Sequence, residues 1–245
     1  MVVRGLTRAL LVSVCALSFS LPSIPSLAAV TEDGLYSALA DSAPSLNPDV
    51  LRYALMATQC AVRNGESYPE RLAVIDFSLP SSEERLWIFD LRQRNLIIRD
   101  LVAHGRNSGD LEPTRFSNVE GSYQSSIGLF RAAESYRGKH GYSLRLDGLE
   151  PGFNDQARQR AIVIHGADYV DPSWIDSYGR IGRSLGCPAV REEISDQVVD
   201  SLKGGQLVFK YYPDEEWLSR SGLLNCGDTT VAGAPSGTPG DERGS

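Results

Sequence analysis

At Gly65 the hydrophobic rhythm of this chain changes, and the new rhythm decides what it can fold into. Before it, Asn47-Pro48-Asp49 supplies a cap residue, a proline at the first helical position and an acid, a strong helix start. Leu51, Leu55, Thr58 and Val62 follow on one stripe, with Val50, Ala54, Ala57 and Ala61 beside it, until Gly65 ends the helix. A weaker helix covers Leu35 to Ala40. After Gly65 come short apolar runs: Leu72 to Phe77, Leu86 to Leu91, Leu96 to Ala103, Tyr142 to Leu146, Ala161 to Ile164 and Leu207 to Tyr212. Each is bounded by Gly, Pro, Asn or Ser and reads as a strand. Gly105 to Gly121 has little periodicity and reads as loop, and Glu192 to Lys203 is an amphipathic helix stopped by Gly204-Gly205. Many strands with few intervening helices predict a mainly β sandwich or barrel with an N-terminal helical lead and a few peripheral helices, not a doubly wound sheet.

Composition narrows the function classes. With 24 Lys+Arg against 31 Asp+Glu, the formal net charge is −7, and 42% of the 245 residues are hydrophobic. These values exclude a wholly disordered chain and a multi-span membrane protein. The acidic balance argues against nucleic acid, which needs a basic face to neutralise phosphates. Arg4 and Arg8 precede an apolar run from Ala9 to Leu21, and Ser26-Leu27-Ala28 offers small residues for a signal peptidase. The run is short for a transmembrane helix, so no integral span is expected after cleavage. Cys15 follows Val14 rather than a small residue, which disfavours a lipoprotein site. Residues 1–28 are expected to be a secretory signal, delivering the chain to the periplasm or cell envelope, an oxidising compartment. The expected organisation continues with a helical segment over 29–66, a strand-rich body over 67–214 and a tail over 215–245. The tail is expected to be disordered from about 227, where Gly, Pro, Ser and Thr dominate.

Cleavage leaves Cys60, Cys187 and Cys226, an odd number without any CxxC pair. One of them sits where chemistry is easiest. Ala161 to Gly166 reads as a buried strand ending in His165, where a rigid scaffold hands a side chain to a site. Gly182-Arg183-Ser184-Leu185-Gly186-Cys187-Pro188 follows at a spacing of 22 residues from His165 to Cys187, enough to fold back over a loop. Glycines allow tight backbone whose amides can face an oxyanion. The nearby Arg180 and Arg183 favour thiolate, the reactive form of cysteine, and a histidine across the site can take the thiol proton.

His165-Gly166 followed by Ser184-x-Gly186-Cys187 resembles the signature of the L,D-transpeptidase (YkuD-like) catalytic domain, whose usual form is His-Gly, a spacer, then Ser-His-Gly-Cys. Ser125-Ser126-Ile127-Gly128-Leu129-Phe130 resembles that family's Thr-Pro-x-Gly-x-Phe strand. A murein L,D-transpeptidase subgroup is similar over Val74 to Ser78, Ala103 to Gly109, Lys139 to Gly148 and Gly182 to Pro188. Together the likeness spans about Asn47 to Asp214. Two positions depart from the pattern. Leu185 stands where the family has histidine, and the family's Cys-x-Arg is absent, the next arginine being Arg191.

The resemblance implies an enzyme acting on peptidoglycan stem peptides, with no cofactor or metal, and acylation by carbapenems. Cys187 would be the nucleophile and His165 the base, with the amides of Gly186 and Cys187 as oxyanion donors. The carbonyl of Gly166 or Ala167, or the Asp168 side chain, would orient the imidazole. Arg180 or Arg183 would grip a substrate carboxylate, and Ser184, Gly166, His140 and Tyr142 would line the cleft. With Cys187 free for catalysis, Cys60 and Cys226 are the remaining candidates for a disulfide. Two rival readings exist: a zinc peptidase built on His104, His140 and His165, and a catalytically inactive wall-binding module with a relic cysteine.

Overall fold

A computed structural model of the chain describes residues 32–226; the expected signal sequence and the expected disordered tail lie outside the described residues. Helices α1 (Glu32–Ser42) and α2 (Pro48–Arg63) open the fold. The start of α2 follows its sequence signal: the Asn47 side chain accepts from the Asp49 amide at 2.9 Å, with Pro48 in the first turn. Its apolar stripe, from Val50 to Ala61, is buried against the sheet.

The strands are β1 (Arg71–Asp76), β2 (Leu86–Asp90), β3 (Asn95–Asp100), β4 (Val102–Ala103), β5 (Gly128–Gly138), β6 (Gly141–Gly148), β7 (Val163–Gly166), β8 (Ala189–Val190) and β9 (Leu207–Tyr211). They form one nine-stranded sheet in the order β3-β2-β1-β9-β5-β6-β7-β8-β4. The two edge strands, β3 and β4, are separated in the chain by Leu101 alone, so the sheet curls until its edges are neighbours: a near-barrel. The mainly β class is the one the strand rhythm predicts. Helices α3 (Pro172–Tyr178), α4 (Glu192–Leu202) and α5 (Glu215–Arg220) lie at the periphery of the order.

Four details differ from the sequence reading. The run Leu96 to Ala103 is two strands, not one. At the break, the Asp100 carboxylate accepts from the Leu101 amide at 2.7 Å and from Arg191 Nε and Nη2, both at 2.7 Å. This carboxylate is nearly fully buried, and its partners turn the chain from one edge to the other. The β5 strand is 11 residues long, whereas only its start resembled a strand. A bulge between Ala132 and Ser135 and half-exposed Arg131 and Glu134 blur its alternation. The strand before the histidine begins at Val163, because Ala161 takes a positive φ of 52° and closes a turn. His165 is therefore inside β7, Cα-paired with Ser143 of β6 and Ala189 of β8. Finally, the segment after Asp214 does not leave as a tail at once. In α5, Trp217 is fully buried and donates from Nε1 to Glu150 at 2.9 Å.

One main core lies between the helices and the sheet, and a smaller one of Leu101, Ala103, Ala167, Val170, Ile181 and Ala189 underlies the loops after β4 and β7. Cys60 of α2 and Cys226 are disulfide-bonded, with Cα atoms 5.8 Å apart and a sequence separation of 166. The bond ties the end of the described chain to α2. Replacing Cys60 by Ala should lower stability by about 2–5 kcal/mol, since a long closed loop restrains the unfolded chain most; a denaturant midpoint unchanged from wild type would count against this. Arg191→Ala should cost about 3 kcal/mol, because it leaves the Asp100 carboxylate buried without its partner. Equilibrium urea unfolding measures both.

Candidate active site

Cys187 lies just before β8 and His165 within β7, and these two strands are parallel neighbours. The register pairs His165 with Ala189, so Cys187 falls beside Val163, two residues along from the histidine. The contacts agree: the Val163 amide donates to the Cys187 sulfur at 3.4 Å, and the sulfur lies 3.7 Å from the Ala161 carbonyl oxygen. Among the described residues, no hydrogen bond joins the sulfur to His165 at rest. Burial pushes the thiol up; the Val163 amide, Lys210 and Arg160 oppose that shift.

The His165 imidazole is positioned by its own neighbour. Nδ1 is 2.8 Å from the Gly166 carbonyl oxygen. A carbonyl only accepts, so Nδ1 carries the hydrogen and Nε2 keeps a lone pair. Of the three orienting groups left open by sequence, Gly166 is the one in contact. Burial, and after it the nearby His140, push the His165 pKa down, against the Gly166 hydrogen bond. The His140 ring, from the β5–β6 hairpin, is 4.6 Å from that of His165. His140, but not His165 itself, lines a groove of ≈ 580 Å³ together with Arg137, Lys139, Tyr142, Gly166, Asp168, Tyr169, Glu192 and Asp196. The Tyr142 hydroxyl donates to Asp200 at 3.0 Å.

The cysteine turn is stitched to three other segments. Ser184 pairs with Gly105 in a bridge, donates its amide to the His104 carbonyl at 2.9 Å, and accepts from the Arg106 amide at 2.8 Å. The Gly186 carbonyl accepts from Ser125 Oγ at 3.3 Å, which in turn accepts from the Gly105 amide at 3.0 Å. Gly186 has φ +122°, and a Cβ there would fall 2.9 Å from the Gln124 carbonyl oxygen, so no other residue fits without shifting the turn. Leu185, at the position of the family histidine, is 58% exposed.

Two groups expected in the site already have partners within the chain. The Gly186 amide does not point free into the site: it donates to Ser184 Oγ at 3.0 Å, and that hydroxyl donates to the Cys187 carbonyl at 2.6 Å. In this geometry that amide is engaged within the cysteine turn. Arg180 and Arg183 do grip a carboxylate, but it is that of Asp110, at 2.8 and 3.1 Å. Arg183 also donates to the Gly109 carbonyl at 2.8 Å. Both arginines pin the loop after β4 instead of standing open.

Two residues near the sulfur were not singled out by sequence. Arg160 donates to the Ser117 and Gln124 carbonyls, both at 2.6 Å, and to Ser126 and Ser122 hydroxyls at 3.2 and 3.3 Å. Lys210 of β9 is fully buried. The signal for Lys210 was present: it is the one charge inside the apolar run Leu207 to Tyr212.

The three histidines do not converge. His104 is buried with Nδ1 2.8 Å from the Arg85 guanidinium, and burial together with that cation lowers its pKa to about 3. Among the described residues, no three His, Cys, Asp or Glu side chains gather as a metal-binding group.

Comparison with known proteins follows the same lines. A family defined as the L,D-transpeptidase catalytic domain matches residues 42–211. Among solved structures, an L,D-transpeptidase from Mycobacterium smegmatis superposes with a TM-score of 0.37 at 12% identity, covering 58% of this chain and 59% of that one. One from Stackebrandtia nassauensis gives 0.36 at 13% identity, over 73% and 76%. L,D-transpeptidase 3 from Mycobacterium tuberculosis, bound to a faropenem-derived adduct, gives 0.38 at 12% identity, over 59% and 61%. The chain thus spans about three fifths of the length of the first and third of these. A comparison with curated proteins found no match. The family match extends over more than half of the chain and contains β1 to β9, His165 and Cys187, so the chain belongs to the L,D-transpeptidase catalytic-domain family.

Proposed function

We propose that this chain is an exported cysteine L,D-transpeptidase that acts on peptidoglycan stem peptides through a Cys187 acyl-thioester. The observation that carries the reading is the placement of Cys187 and His165 on parallel neighbouring chains, two residues apart, with the imidazole's Nε2 lone pair uncommitted to the Gly166 hydrogen bond. Family membership supplies the reaction class.

The steps follow from that placement. Rotation about the Cys187 Cα–Cβ bond takes the sulfur off the Val163 amide toward His165. The thiol proton passes to Nε2, and the thiolate attacks the carbonyl between the L-centre of a diamino acid and the terminal D-Ala. With the Gly186 amide engaged by Ser184, the oxyanion's donor on this reading is the Cys187 amide. The carbon–nitrogen bond breaks, His165 returns its proton to the leaving amine, and D-Ala departs. The amine of a second stem then attacks the thioester, gives its surplus proton to His165, and expels the thiolate, which recovers that proton. Water in place of the amine gives carboxypeptidase action by the same route. The groove that His140 and Gly166 line also carries Arg137, Lys139, Asp168, Glu192 and Asp196, a mixed lining suited to a zwitterionic peptide.

Incubation of the purified protein with disaccharide-tetrapeptide, read by mass spectrometry, tests the reading. Wild type should lose D-Ala or form a crosslinked dimer, and a carbapenem should add its mass to Cys187. Cys187→Ala should abolish all three, and His165→Ala should slow D-Ala loss by about 10²–10⁴-fold. Substantial turnover by Cys187→Ala would sink the assignment. A wild-type protein that folds but neither turns over nor is acylated would favour the inactive wall-binding module.

The pH profile provides a separate check. Because burial holds the His165 pKa below its ordinary value, the imidazole stays neutral and able to accept a proton at lower pH. The acid limb of kcat/KM should therefore lie below about 6.5, the unperturbed histidine value. A limb above that value would contradict the buried setting of His165 as the base.

A further inference from the structure

The histidine assigned as base is buried, and an exposed ring lies on it. His165 is 4% exposed, whereas His140 stands at the surface. The two ring centroids are 4.6 Å apart, with the planes tilted by 34°. The hairpin between β5 and β6 makes this meeting. Lys139 and His140 form its turn, closed by the pair Gly138 and Gly141. Gly141 takes a φ of +72°, which lets the chain turn back at once. β6 then runs beside β7 with Ser143 Cα-paired with His165, so the hairpin brings its own turn back to the histidine. A side chain at an exposed turn can point into water; this one lies against the imidazole instead.

The contact is one of packing. Among the described residues the His140 ring makes no hydrogen bond, and the His165 ring makes one, from Nδ1 to the Gly166 carbonyl at 2.8 Å. Rings that share no hydrogen bond are not a proton relay. One hydrogen bond fixes one point of the imidazole, and about that point the ring can still swing; a second ring set against it removes the swing. It also takes up space that water would fill. Burial is the largest cause that holds the His165 pKa down, with the His140 charge a smaller one, both against the Gly166 hydrogen bond. The other charges on the groove are Arg137 and Lys139 from the hairpin, Asp168 from the loop after β7, and Glu192 and Asp196 from α4. Tyr169, on the same loop, is pushed up to about 12 by burial and stays neutral. The strand partners of His165, Ser143 and Ala189, carry no charge.

We propose that His140 is a positioning residue for the reaction: its ring holds the His165 imidazole in the orientation that Gly166 sets at Nδ1 and keeps water off the base. The inference rests on His165 being that base. Nε2 of His165 takes the thiol proton and later returns it to the leaving amine, while His140 neither gives nor takes a proton in the cycle. A base oriented before the substrate arrives loses no freedom on the way to the transition state, and a misplacement of about 1 Å can cost 10²-fold in rate. His140 thus acts through His165 and not on the reacting atoms.

The test compares a ring with its absence at equal charge. The chain has three histidines, and burial together with Arg85 lowers the His104 pKa to about 3. In a His140 variant, the histidine Cε1 proton resonance that titrates above about pH 5 is therefore that of His165. His140→Ala and His140→Phe both remove the His140 charge and leave the other groove charges in place, but only His140→Ala removes the ring. The His165 midpoint should lie higher in His140→Ala than in His140→Phe, by about half a pH unit or more, because water then reaches the imidazole. With disaccharide-tetrapeptide, His140→Ala should lower kcat about tenfold with KM within about twofold of wild type, and His140→Phe should recover most of that loss. Equal midpoints in the two variants would overturn the proposal. So would an equal loss of kcat in both, or an effect of His140→Ala on KM alone, which would make His140 a substrate contact. Should His140→Phe fail to fold, His140→Tyr is read by the same comparison. The resonance is followed in the resting protein without substrate. Failure here is thus distinct from failure of the transpeptidase reading, which turnover by Cys187→Ala decides.

Discussion

The corner between β3 and β4 is the point on which the sheet depends. A single continuous segment supplies both edges of the nine-stranded sheet, and it changes direction where Asp100 meets Arg191 through two hydrogen bonds of 2.7 Å. Sheet edges expose unpaired backbone groups, and closure removes the need to protect them. Here closure is approached by curling, and the ion pair holds the curl at a nearly buried carboxylate. Arg191 is also the residue that precedes α4, which packs on β6 and β7, though its side chain makes no capping hydrogen bond. The residue that holds the corner is therefore continuous in the chain with the helix packed on the strand that carries His165.

The second organising theme is buried positive charge. Arg85, Arg160 and Lys210 penetrate the interior with donors aimed at carbonyls, hydroxyls, an imidazole or an aromatic face. Arg85 and Arg160 behave as staples. Each satisfies several backbone carbonyls that loops leave behind, and a loop with few backbone pairs needs such partners to be buried at all. Lys210 differs: its nitrogen has no hydrogen-bond acceptor among the described residues and stands over the Phe130 ring instead.

Much of the fold was legible. The α2 helix, five of the strands and α4 lie where period and punctuation indicate, because each buries a continuous apolar face and local rhythm records that face directly. The missed features share a cause. The division at Leu101, the bulge in β5 and the turn at Ala161 depend on partners distant in the chain, which no local pattern encodes. The helix α3 did carry readable signals: Asp171 as cap, Pro172 at its start and Gly179 in the left-handed conformation at its end. It is short and exposed, so the apolar period that drew attention elsewhere is missing.

At the site, the residue types made Cys187 and His165 candidates, a cysteine in a glycine turn and a histidine after an apolar run, and the resemblance to the L,D-transpeptidase signature singled them out. The pairing of Cys60 with Cys226 was also within reach, by removing Cys187 from the possible partners. What sequence could not decide was which groups are already engaged. Only tertiary structure shows that Asp110 occupies Arg180 and Arg183, that Ser184 occupies the Gly186 amide, and that Lys210 is left without a partner. The reason is physical: a side chain's chemistry is written in its identity, but its availability depends on competing donors and acceptors brought in from elsewhere in the chain.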